Sequence, residues 1–179
     1  MTDKPLKTAV NLTKVSFLVA EPNDLYRGLF RGLLFGFGAA KVHEALDPEA
    51  ADRMLARHKI DVLICAVDLP GKGGIDYVRN IRLNPDHPNR SMPILITMGT
   101  ARRISVGMAR DSGANFVLSK PISPLVLYDR LNWIARNPRP FWEDARYFGP
   151  DRRFRALRHE GLPQRRAADT EAQTMELDD

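Results

Sequence analysis

Residues 61–76 read DVLICAVDLPGKGGID. The end of an apolar strand, here broken at Leu69-Pro70-Gly71, is where an open α/β sheet presents its reactive groups. The residue at this tip is Ala66, and a methyl group is neither nucleophile nor ligand. Other candidates for chemistry are sparse. His43, His58, His87 and His159 lack a ligand spacing such as H-x-x-x-H, and surface or loop positions are expected for all four. Ser105 and Ser112 have no visible triad partners. Cys65 is the only cysteine, so no internal disulfide forms. Its apolar neighbours mark an inert buried thiol in a reducing cytosol.

Composition narrows the class further. The chain has 179 residues, 44% of them hydrophobic, which suits one ordinary domain with a substantial core plus an appendage. No apolar run reaches the roughly 20 residues of a bilayer span. The nearest, 28–40, is shorter and contains Arg31. The first 15 residues are polar and charged, without an apolar signal core. The net charge of +5 is uneven: residues 136–166 hold nine arginines against four acids, and 167–179 hold five acids and no base. That asymmetry marks the C-terminal part as a separate, interaction-prone segment.

The elements that must position any site follow from periodicity. Residues 15–20 (VSFLVA), 60–67 and 93–98 (PILITM) are buried strands, and 41–45 and 115–118 are shorter ones. Helices follow each: one capped by Asn23 or Asp24 with Leu25, Leu29 and Leu33 at fourfold spacing, and one opened by Asp47-Pro48-Glu49. A third carries Ile75, Val78, Ile81 and Arg82, a fourth spans 102–112, and a fifth starts at Ser123-Pro124. Five apolar strands alternating with five helices give a parallel sheet covered on both faces, with a doubly wound topology.

The pattern D-x-x-x-x-A-x-D-x-P-G from Asp61, then P-x-x-x-x-M, Gly113-Ala114 and Lys120-Pro121, resembles the receiver domain of bacterial two-component response regulators. The resemblance covers residues 15–136 and implies the CheY-like (flavodoxin-like) five-stranded fold, strand order 2-1-3-4-5. It also implies phosphoryl transfer to an aspartate at the third strand. That reaction needs a carboxylate nucleophile, oxygen ligands for magnesium, a hydroxyl and a lysine. On this chain the acidic pair becomes Glu21-Pro22, the acceptor Ala66, the hydroxyl Met98 and the aromatic Val117, and only Lys120 remains. A degenerate pseudo-receiver results, with an apolar pocket, a Glu21–Lys120 salt bridge and no dependence on magnesium or another cofactor. Asp68, with Thr97 or Thr100 nearby, is the one displaced acceptor; its alternative role is a turn residue before Pro70.

The expected function is therefore a cytoplasmic adaptor that binds proteins and does not catalyse. Gly28, Gly32 and Gly36 recur on the first helix, either as a partner surface or with Gly36 ending the helix and the other two beneath a tight loop. The face of the fourth helix, fifth strand and fifth helix mediates dimers in the family, and Arg102, Arg103, Val106, Met108 and Tyr128 are assigned to it. The chain divides into an arm (1–14), the receiver-like domain (15–136), an Arg/aromatic extension (137–166) and a disordered acidic tail (167–179). Trp142, Phe148, Arg152 and Arg153 in the extension fold back, anchor a protein partner, or stack on nucleic acid. A nucleic-acid-binding regulator using 136–166 is the rival function, and no membrane partner is implied.

Overall fold

Five strands alternate with five helices from residue 16 to residue 136. The computed structural model describes residues 10–99 and 103–151, the side chains of 103–105 excepted. The strands β1 (Ser16–Ala20), β2 (Lys41–Ala45), β3 (Val62–Ala66), β4 (Ile94–Met98) and β5 (Phe116–Ser119) form a parallel sheet ordered β2-β1-β3-β4-β5. The helices are α1 (Asp24–Gly36), α2 (Pro48–Arg57), α3 (Gly73–Leu83), α4 (Arg103–Asp111) and α5 (Pro124–Arg136).

Every residue of β1, β3 and β4 is buried, as a sheet covered on both faces requires. Alternation along each strand divides the core in two. Leu18, Leu63, Cys65 and Ile96 pack with Leu55 of α2 and Ile81 of α3. Phe17, Val19, Ile64 and Leu95 pack with Phe30 and Leu34 of α1 and Leu127 of α5. Leu12 from the N-terminal arm joins that second cluster, and Val10 donates its N–H to Asn132 Oδ1 at 3.3 Å. Leu12, with half-buried Val10 beside it, thus ties the arm to the core on the α5 side.

Side-chain caps set the helix starts. Asn23 accepts the Tyr26 N–H at 3.1 Å, so it caps α1, and Asp24 instead pairs with Arg27. Asp47 accepts the Ala50 N–H at 2.6 Å before Pro48. Ser123 does the same for α5 ahead of Pro124.

The described part of the extension folds back as an antiparallel hairpin, β6 (Phe141–Asp144) and β7 (Tyr147–Pro150), a pairing that the sequence reading did not anticipate. Arg90 reaches Glu143 at 2.6 Å, and its guanidinium lies 3.7 Å from the Phe148 ring centroid. Phe141 and Phe148 pack against each other with tilted rings, centroids 5.2 Å apart. Gly113, at φ +91, has no room for a side chain: a Cβ there would stand 2.4 Å from the Phe148 carbonyl oxygen. The hairpin backbone therefore rests directly on the α4–β5 turn. Residues 1–9, 100–102 and 152–179 lie outside the described residues, and with them Thr100, Arg102, Arg152, Arg153, His159 and the acidic tail.

Candidate functional site

The carboxyl edge of the sheet gathers the residues that follow its strands. Glu21 and Pro22 come after β1, Ala66 and Met98 end β3 and β4, and Lys120 follows β5. Lys120 Nζ stands 2.6 Å from Glu21 Oε2, with side chains 6% and 2% exposed. The contact is an ion pair whose angles fall short of an aligned hydrogen bond. Glu21 Oε1 accepts the Asn23 N–H at 3.2 Å, and the Tyr26 ring lies 4.6 Å from the Lys120 ammonium. Ala66 and Met98 are each 1% exposed. The pocket is therefore apolar on the β3 and β4 side only. The expected Glu21–Lys120 ion pair is present, and it makes the β1 and β5 side of the otherwise apolar pocket charged.

Gly74 seals the pocket from the α3 side. A Cβ on it would lie 1.9 Å from the Ala66 carbonyl oxygen, so helix and strand tip meet backbone to backbone. Thr97, opposite Ala66 in the ladder, is fully buried, and its hydroxyl has no hydrogen-bond partner among the described residues. Asp68 is exposed in the turn beyond β3. Cys65 beneath the tip is fully buried, and burial, reinforced by the Glu21 charge, pushes its thiol up to about 12. Among the described residues no group of three or more His, Cys, Asp or Glu is placed to hold a cation, and no helix is long and apolar enough to cross a membrane.

The proposed surfaces fare differently. Gly28, Gly32 and Gly36 face open space, since a Cβ on any of them meets nothing within 4 Å. The alternative of a tight loop covering Gly28 and Gly32 is thereby corrected, while Gly36 does end α1. Leu25 beside them is 79% exposed and Phe35 48%. Tyr128 does not belong to the α4–β5–α5 face: its ring packs on Phe37 at 5.1 Å, toward α1. Val106 packs against the core, Met108 is exposed, and the side chain of Arg103 lies outside the described residues. Trp142, half exposed, lines a cleft of about 670 Å³ with Asp111, Asp144 and Asp151. Phe148 is occupied by Arg90 and Phe141.

Two features were not read from the sequence. His43 lies in β2, half-buried, and stacks on His58 at 4.2 Å; burial first, then the His58 charge, lowers its pKa. Arg82 is fully buried. Its Nε donates to the Gly113 carbonyl at 3.0 Å, Nη2 to the Met92 carbonyl at 2.7 Å, and Nη1 to the Arg90 carbonyl. Burial draws the guanidinium down to about 9. The signal was its place in the α3 stripe with Val78 and Ile81, where a surface arginine does not belong.

The response regulator receiver domain family model matches residues 17–132. Chemotaxis protein CheY-3 of Vibrio cholerae is 28% identical over 120 residues, covering 67% of this chain and 91% of that protein. Chemotaxis protein CheY of Pseudomonas aeruginosa is also 28% identical, over 67% of this chain and 95% of its own. Among solved structures, a two-component response regulator from Clostridium difficile superposes with a TM-score of 0.62 at 22% identity, over 69% of this chain and 98% of that one. Chemotaxis response regulator CheY4 of Vibrio cholerae gives 0.60 at 22%, over 67% and 98%. Both structural likenesses bear on the fold.

Proposed function

The chain belongs to the response regulator receiver domain family, and from that premise we propose that it is a cytoplasmic signalling adaptor that binds protein partners and takes no phosphoryl group. The observation that carries this reading is Ala66, buried at the end of β3 where the family's reaction needs a carboxylate. The neighbouring donors do not suit magnesium either. That ion wants near-octahedral oxygen ligands. The edge offers one buried carboxylate, Glu21, which Lys120 already holds, beside Pro22, Ala66 and Met98. No step through a metal follows from such a set. In the test, the protein is incubated with acetyl phosphate and magnesium and its intact mass is measured. An unchanged mass is expected; a phosphoryl adduct, on Asp68 or elsewhere, overturns the reading.

Partner binding is assigned to α1. Leu25, Gly28, Leu29 and Gly32 follow the i, i+3, i+4, i+7 pattern of one helix face, and all are exposed. Glycine inside a helix costs about 1 kcal/mol relative to alanine. Here no close packing explains that cost, because the added methyls would meet nothing. A partner backbone approaching closely does explain it. Gly28→Ala with Gly32→Ala is expected to raise stability by about 2 kcal/mol in urea unfolding. The same variant is expected to lose a partner that the unaltered chain captures in a pull-down. Equal capture by both proteins removes α1 from the interface. The rival reading, stacking on nucleic acid, is disfavoured by Phe141 and Phe148, whose faces are taken by each other and by Arg82 and Arg90.

A further inference from the structure

The cleft of about 670 Å³ between the end of α4 and the hairpin has a volume in the range of binding clefts. Trp142 and Tyr147 give it aromatic walls, and Asp111, Asp144 and Asp151 line it with one cation, Arg146. We propose that this cleft is the seat of the chain's own segment 152–158, RRFRALR, which docks there through its arginines and Phe154. The proposal rests neither on Ala66 nor on α1.

Three observations carry the assignment. First, the chain itself delivers the segment. Asp151 lines the cleft, and Arg152 follows it directly. A segment tethered at the rim acts at an effective concentration on the order of 1 mM, an advantage that no separate partner of the same chemistry has. Second, the charges are complementary. Residues 152–158 hold four arginines and no acid, and the cleft presents three carboxylates beside one guanidinium. Asp144 Oδ1 accepts the Arg146 N–H at 2.8 Å, and Asp111 closes α4, so both carboxylates stand on fixed backbone. The five acids of residues 167–179 are repelled by the same charges, and so is a nucleic-acid phosphate. Third, the walls suit arginine and phenylalanine. Trp142 is half exposed, and the Tyr147 hydroxyl donates to the Pro150 carbonyl at 3.0 Å, which fixes that ring. Arginine pairs with aromatic faces. The molecule already uses that contact twice nearby, with Arg90 3.7 Å from the Phe148 ring centroid and Arg139 4.3 Å from that of Trp133.

Trypsin digestion of the full chain under native conditions, read by mass spectrometry, tests this with an internal standard. The bonds after Arg152, Arg153, Arg155 and Arg158 are compared with those after Arg165 and Arg166, which lie beyond the docked segment. Cleavage within 152–158 is expected to be about tenfold or more slower than at the reference bonds. Added salt narrows that gap, because the contact is ionic. Asp111→Lys is expected to narrow it as well. Asp111 is exposed at the end of α4, where a cation suits the helix dipole, so this replacement leaves the fold intact. Adding Arg152→Glu and Arg153→Glu to Asp111→Lys is expected to restore protection at Arg155 and Arg158, a rescue that a merely structural effect of the lysine does not give. Trp142→Ala narrows the gap without changing charge. Equal cleavage rates along the whole tail of the unaltered chain overturn the proposal. So does a gap that neither Asp111→Lys nor Trp142→Ala alters. Protection that rises with protein concentration assigns the cleft to the tail of a second copy and overturns the intramolecular seat.

Discussion

Lys120→Met is expected to lower stability by about 3–5 kcal/mol, and Glu21→Leu combined with it to restore most of that loss. The asymmetry follows from burial. Lys120 and Glu21 are 6% and 2% exposed and meet at 2.6 Å. Removing the lysine leaves the carboxylate with the Asn23 N–H as its remaining partner and no solvent. Replacing both members removes two desolvation penalties together with the attraction that offset them. Urea unfolding of the two single variants and the double variant checks this as a thermodynamic cycle. A coupling energy near zero would mean that each side chain acts independently, and the pocket would not then be closed by the pair. The same cycle bears on function. Drawing Glu21 toward a magnesium ion would leave Lys120 buried and uncompensated, a cost that the proposed phosphorylation-independent reading predicts.

The parallel sheet was legible because its evidence is local. Continuous apolar runs mark β1, β3 and β4, and Asp47-Pro48 and Ser123-Pro124 mark helix starts by a mechanism that needs no tertiary context. The Glu21–Lys120 pair was legible through the family pattern, which places the two residues together across 99 positions of sequence. What escaped depends on the third dimension. Tyr128 on α5 has two faces open to it, and only the position of Phe37 decides between them. The hairpin at 141–150 has short strands rich in charge and aromatics, a composition that also suits an unstructured binding tail. Its docking rests on Gly113 and Gly149 passing so closely that a Cβ on Gly149 would stand 2.8 Å from Gly113 Cα. Nothing in either neighbourhood announces the other.

Arg82→Met is expected to destabilise the protein by about 4 kcal/mol or more and to free the hairpin from the domain. Methionine fills much of the same volume but donates nothing. Three backbone carbonyls, those of Gly113, Arg90 and Met92, then lose a charged donor inside the structure, at about 1–3 kcal/mol for each group left unpaired. Arg82→Lys recovers little, because a single ammonium on a flexible stem cannot reach three acceptors arrayed around the edge of the planar guanidinium. The consequence reaches the extension by two routes. Arg82 lies 5.1 Å from the Phe141 ring centroid, and its stem presses on Gly113, the residue on which β7 rests. Loosening that turn removes the seat of the hairpin before it removes the sheet. Limited proteolysis therefore cuts the 137–150 segment of Arg82→Met at denaturant concentrations where the unaltered chain is resistant, while urea unfolding reports the global loss. A variant within 1 kcal/mol of the parent, with the hairpin still protected, would mean that the carbonyls find other donors and that the staple is dispensable. The buried guanidinium is thus one joint through which the receiver domain holds its C-terminal hairpin, alongside the Arg90 contacts with Glu143 and Phe148.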